Sequence, residues 1–148
     1  MLRGIPSILS PELLYVLRAM GHGDELVIGD ANFPAESIGP QCVRLDGIAA
    51  TDVLEAVLAL MPLDAFEAAP AHVMQVVADP EQVPPVVATF QEIINRVADN
   101  PAEIASLERF AFYERASDAF AVVQTGEQRL YGNIILKKGV VPPDDPDA

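Results

Sequence analysis

Two side chains able to move a proton or grip hydroxyl groups lie close together early in this chain. His22 stands between Gly21 and Gly23, and Asp30 follows the apolar run Leu26-Val27-Ile28 and Gly29. An imidazole with an ordinary pKa of about 6.5 gives or takes a proton near neutral pH. Its glycine neighbours remove steric cover and admit positive φ, which lets a ligand atom approach closely. Three readings stand open for His22: an exposed loop residue, a hydrogen-bonded structural histidine, or an acid/base. Asp30 at a strand end is either the cap of the following turn or a two-oxygen acceptor for ligand hydroxyls. With one short strand between them, both are expected to face one pocket.

Further chemistry-bearing residues lie far downstream. Arg109 precedes Phe110-Ala111-Phe112-Tyr113; it reads as a surface ion pair or as a ligand contact. Tyr131-Gly132-Asn133 is a bend into a strand, or a cluster whose phenol, amide and backbone groups suit ring hydroxyls. Tyr113 and Glu114 stay undecided, and Arg115 reads as an ordinary exposed helical residue. Asp24 and Glu25 solvate a turn. His72, at the start of an apolar run with no carboxylate nearby, reads as structural, and Cys42 as packed within a strand.

The elements that must position these residues follow from capping and periodicity. Ser10-Pro11-Glu12 opens a helix with Leu13, Leu14, Leu17 and Met20 inward, and Gly21 supplies its stop. Residues 26–28 form a strand covered on both faces, residues 32–40 a loop, and residues 41–45 a second strand. Thr51-Asp52 caps a helix ended by Pro62. A strand at 72–77 precedes a helix begun by Pro84-Pro85 and carrying Phe90, Ile93, Ile94 and Val97. A strand at 104–108 and a helix at 110–119 lead to two closing strands, 121–124 and 133–136. Residues 125–129 are expected to join that last pair as a hairpin. The whole is one α/β domain over 1–141, a mixed sheet with helices on both faces, followed by a mobile polar tail at 142–148.

Composition bounds the function. With 9 Lys+Arg against 22 Asp+Glu, the net charge of -13 opposes nucleic acid and anionic membranes and is indifferent to a neutral ligand. Two histidines and one cysteine give no zinc spacing and no intrachain disulfide, so no metal is expected. There is no run long enough for a membrane helix and no leader-like start, which points to the cytoplasm. Dinucleotide, triphosphate and serine-hydrolase motifs are missing. A hydrophobic share of 51% and a mean hydropathy of +0.26 are high for a monomer and suggest subunit interfaces.

Three blocks together, residues 20–35 around His22, Glu108 through Ala116, and Thr125-Gly126-Glu127 through Ile134, resemble the L-fucose mutarotase family, relatives of D-ribose pyranase. The likeness covers nearly the whole chain. It implies a cofactor-independent sugar isomerase with His22 as acid/base and Asp30, Arg109, Tyr131, Gly132 and Asn133 as sugar-binding residues. It also implies a homo-oligomer, a decameric ring or alternatively a dimer, in which a neighbouring subunit completes the pocket. Pyranases carry histidine at the place of Arg109 and alanine at that of Gly132, which favours a fucose-like sugar over ribose. The rivals are a pyranase and a noncatalytic monosaccharide-binding or transport-accessory protein.

Overall fold

The structure is a computed structural model and describes residues 1–144. Its chain order is α1 (Pro11–Ala19), β1 (Glu25–Gly29), β2 (Gln41–Leu45), α2 (Ala50–Leu58), β3 (Ala71–Met74), α3 (Pro85–Val97), β4 (Ala105–Leu107), α4 (Arg109–Ser117), β5 (Ala121–Thr125) and β6 (Ile134–Lys137). All six strands join one sheet in the order β2-β5-β1-β6-β3-β4. β1, β5 and β2 run parallel, as do β3 and β4, while β6 lies antiparallel between β1 and β3. The sheet is therefore mixed, as the sequence led us to expect.

Strand alternation divides the core in two. Leu26, Ile28, Val123, Ile134 and Leu136 face a large cluster with Leu13, Val53, Leu54, Phe90 and Ile94 from α1, α2 and α3. Val27, Val122, Ile135 and Met74 face the other way, against Phe112 and Ala116 of α4 and Phe33 of the loop after β1. Both faces are covered, so the central strands carry continuous apolar runs, Leu26-Val27-Ile28, Ala121-Val122-Val123 and Ile134-Ile135-Leu136, rather than alternating.

Three local expectations are corrected. Residues 125–129 do not close a hairpin, because β1 lies between β5 and β6; the segment crosses the end of β1 instead. Gly21 is not a left-handed helix stop: α1 ends in Met20 at φ -59 and ψ 137, and the left-handed residue here is Gly23 at φ +86. α2 begins at Ala50, behind Ala49 and without a side-chain cap, so Thr51 lies inside the helix. Ser10 does cap α1, accepting from Leu13 N–H at 3.2 Å. Of the tail expected at 142–148, residues 142–144 are exposed and residues 145–148 lie outside those described. Among the described residues, no helix is long and apolar enough to cross a membrane.

Candidate active site

A cleft of about 230 Å³ opens at the C-terminal end of β1, lined by Asp30, Asn32, Phe33, Met74, Val77, Arg109, Tyr113, Leu130, Tyr131 and Asn133. Four of the expected binding residues are thus brought together from three distant parts of the chain. Hydrogen bonds from the end of β5 build the floor: Gln124 Nε2 donates to Asp30 O at 2.6 Å, Thr125 Oγ1 to Gly29 O at 2.7 Å, and Ala31 N–H to Glu127 O at 2.8 Å. The Thr125-Gly126-Glu127 block therefore holds the β1 terminus rather than turning a hairpin.

Asp30 and Asn133 are both 5% exposed and in contact. Asn133 Oδ1 accepts the Asp30 N–H at 2.7 Å. Burial raises the Asp30 carboxyl above its ordinary pKa, an effect that hydrogen bonds from the amides of Asn32, Gly132 and Phe33 only partly offset. Gly132 acts through that amide; a Cβ there would stand 2.8 Å from Glu127 Cγ and 3.1 Å from Arg129 O. Tyr131 holds a left-handed backbone, φ 63, and its hydroxyl accepts from Val77 N–H at 3.1 Å. A non-glycine residue in that region is strained and persists where its surroundings fix it.

Arg109 is the first residue of α4, whose N-cap Glu108 accepts from the amides of Phe110 and Ala111 at 2.9 and 3.1 Å. It lies exposed at the cleft rim with its guanidinium 4.7 Å from the Phe110 ring. Among the described residues it makes no ion pair, so the surface-pair reading fails. Tyr113 lies deeper, its ring 5.8 Å from that of Phe33, and gives the cleft an aromatic wall.

His22 is not in this cleft. It precedes β1 while Asp30 follows it, and the five residues of the strand alone span about 16 Å. The expectation that one chain turns both toward a single pocket is corrected. His22 instead meets Asp64, its Nε2 2.9 Å from Asp64 Oδ1, with the imidazole 45% and the carboxylate 2% exposed. Burial would raise the Asp64 carboxyl, but hydrogen bonds from His22 and from the amides of Glu67 and Phe66 outweigh it and hold Asp64 below its usual range. An ionised carboxylate only accepts, so Nε2 carries the proton of this contact and Nδ1 is the nitrogen left for chemistry. The ring lies 5.1 Å from that of Phe66, itself 76% exposed.

Sequence reasoning missed Asp64, which lies 42 residues from its partner in no motif. It also misjudged Arg115, which is no free surface residue: its guanidinium grips both carboxylate oxygens of Glu25 at 2.7 to 3.1 Å and donates to His72 Nε2 at 3.3 Å. His72 is structural as expected. Buried beside that cation, its imidazole is held below its ordinary pKa, first by desolvation and then by Arg115. Cys42 is half-buried, and desolvation raises its thiol, the reverse of nucleophile activation. A larger cleft of about 490 Å³, beside α3, has Glu81 as its one ionisable lining residue and so offers no acid/base pair.

The described residues hold two half-sites: a cleft lined by Asp30, Arg109, Tyr131 and Asn133, and a carboxylate-held imidazole that lies outside it. Known proteins resemble this chain over nearly its full extent. The model of the RbsD / FucU transport protein family matches residues 3–141. A fucose mutarotase of Homo sapiens is 53% identical, covering 95% of this chain and 94% of that protein. A fucose mutarotase of Bos taurus is 50% identical, covering 97% of each. The crystal structure of the fucose mutarotase in complex with L-fucose from Streptococcus pneumoniae superposes with a TM-score of 0.88 at 43% identity, covering 95% of this chain and 99% of that one.

Proposed function

This chain belongs to the RbsD / FucU transport protein family, and from that premise we propose that it interconverts the α and β anomers of L-fucose. The reaction removes a proton from the anomeric hydroxyl and delivers one to the ring oxygen as the bond between that oxygen and the anomeric carbon breaks. Closure on the other face reverses both transfers. One imidazole alternating between acid and base suffices, with no cofactor and no covalent intermediate. His22 Nδ1 is that group, and Asp64 fixes the ring so that Nδ1 faces outward. Asp30, Arg109, Tyr131 and Asn133, with the Gly132 amide behind Asp30, bind and orient the sugar hydroxyls. Tyr113 and Phe33 back its apolar side.

The observation that carries this reading is the His22–Asp64 pair: an exposed imidazole held by a buried carboxylate is arranged for proton transfer to something outside its own chain. Its separation from the sugar cleft supports a composite centre, in which His22 of one copy meets the Asp30 cleft of another. Exposed apolar residues flank both halves, Phe66 beside His22, Val77 and Leu130 at the cleft, and Phe110 next to Arg109 on its rim. A head-to-tail contact between two different surfaces is heterologous, and it forms a ring where the rotation from copy to copy closes. A ring-shaped homo-oligomer, decameric by its family resemblance, is therefore the assembly we assign; a two-fold dimer that pairs opposite ends is the alternative, and light scattering tells them apart. The free thiol of Cys42 accords with a cytoplasmic setting.

Saturation transfer between the anomeric protons of α- and β-L-fucose tests the activity. Wild type speeds exchange, and folded His22→Ala does not. A noncatalytic sugar binder would shift resonances on titration without speeding exchange, and a faster interconversion of ribose ring forms at equal protein concentration would make the chain a pyranase.

A further inference from the structure

His22 and Asp64 meet across a third segment. Residues 137–139 run from the last residue of β6, where Lys137 still pairs with Glu25 of β1, to two residues past the strand, and they hydrogen-bond on both edges. On one edge Gly23 N–H donates to Lys138 O at 2.9 Å and Lys138 N–H to Asp24 O at 2.9 Å. On the other, Asp64 N–H donates to Lys137 O at 3.0 Å, Gly139 N–H donates to Pro62 O at 2.8 Å, and Leu63 bridges Lys138 in antiparallel register. The two loops that carry the pair are thus neighbours of one strand extension, and their spacing is its width.

Two residues set that width. Gly139 is buried, and a Cβ added to it would stand 2.7 Å from Leu63 O and 2.9 Å from Asp64 Cα. Both are backbone atoms, so no rotamer relieves the clash and the Asp64 loop must move. Lys138 works on the other edge. Its Nζ donates to Leu17 O at 2.7 Å and to Met20 O at 2.5 Å, closing the carbonyl end of α1 two residues before His22. Neither residue touches the cleft around Asp30.

We infer that residues 137–139 are the spacer that sets the His22–Asp64 contact, with Gly139 and Lys138 as positioning residues for the acid/base. The proposal rests on the mutarotase reading for its kinetic consequence but not for its geometric one. Outer partners that orient a metal-bound histidine typically change affinity or activity by about 10- to 100-fold when mutated, and a comparable loss is expected here.

The test makes Gly139→Ala and Lys138→Met and reads three quantities: the rate of fucose anomer exchange at saturation, fucose affinity, and the imidazole ¹⁵N shifts of His22, which report its tautomer. In both variants the exchange rate falls by about tenfold or more, affinity stays as in wild type, and the Nε2–H tautomer loses its dominance. A folded Gly139→Ala with wild-type rate and tautomer overturns the proposal. So does an equal loss of rate and affinity, which marks a general loosening. If Gly139→Ala fails to fold, Lys138→Met decides by the same readings. If wild type exchanges no fucose, the functional reading fails while the tautomer still judges the spacer.

Discussion

Asn133 Oδ1 accepts the backbone N–H of Asp30 at 2.7 Å across a gap of 103 residues. The carboxylate proposed to bind the sugar and the amide proposed to bind beside it are thereby one unit, and the entry to β6 is tied to the exit of β1. A side chain that serves both fold and ligand has two measurable losses when it is removed.

Asn133→Ala leaves the Asp30 amide buried without an acceptor, so stability falls by about 1–3 kcal/mol in denaturant unfolding. Fucose affinity falls with it. An Asn133→Ala protein with the wild-type unfolding midpoint would dissolve the unit.

Arg109→Ala has the opposite profile. The side chain is exposed and makes no ion pair among the described residues, so stability changes by no more than about 0.5 kcal/mol. Fucose binding, followed by titration calorimetry, weakens clearly. Unchanged affinity would return Arg109 to the surface.

Asp64→Asn keeps the shape of the pair but removes the charge that selects the His22 tautomer. Exchange slows by about 10- to 100-fold, less than the loss in His22→Ala. A rate equal to that of His22→Ala would place Asp64 itself in the proton transfer.

The two buried carboxyls pull stability in opposite directions with pH. Asp64 is held below its ordinary value of 3.8, so its contribution is present above that value and is lost as pH falls through the lower folded one. Asp30 is raised above 3.8, so what it contributes is present below that value and is lost as pH rises through the higher folded one. Melting temperatures compared across the acid range therefore show wild type losing its margin over Asp64→Asn on acidification. Its margin over Asp30→Asn shrinks on neutralisation. Slopes of the same sign would contradict one of the two environments.

Local signals reported the elements well and their neighbours poorly. Pro84-Pro85 starts α3 and residues 41–45 form β2 because proline geometry and strand alternation are properties of a few adjacent residues. The false hairpin at 125–129 arose because turn chemistry says that a chain bends, not which strand lies beside the next one. The cleft was legible residue by residue, since Asp30, Arg109, Tyr131 and Asn133 do converge. Asp64 was not, because its worth depends on Leu63 bridging Lys138, a pairing across 75 positions that leaves no trace in spacing.

The placement of His22 and Asp30 at opposite ends of β1 makes this protein genetically divisible. If each centre draws its imidazole from one copy and its sugar cleft from another, a defect in either half is confined to the junctions that use it. At low fucose, chains carrying His22→Ala are inactive in a pure assembly and chains carrying Arg109→Ala are impaired by weak binding. Unfolded together and refolded as a mixture, they regain activity, because about one junction in four joins an intact imidazole to an intact cleft. Two broken genes would then make one working enzyme.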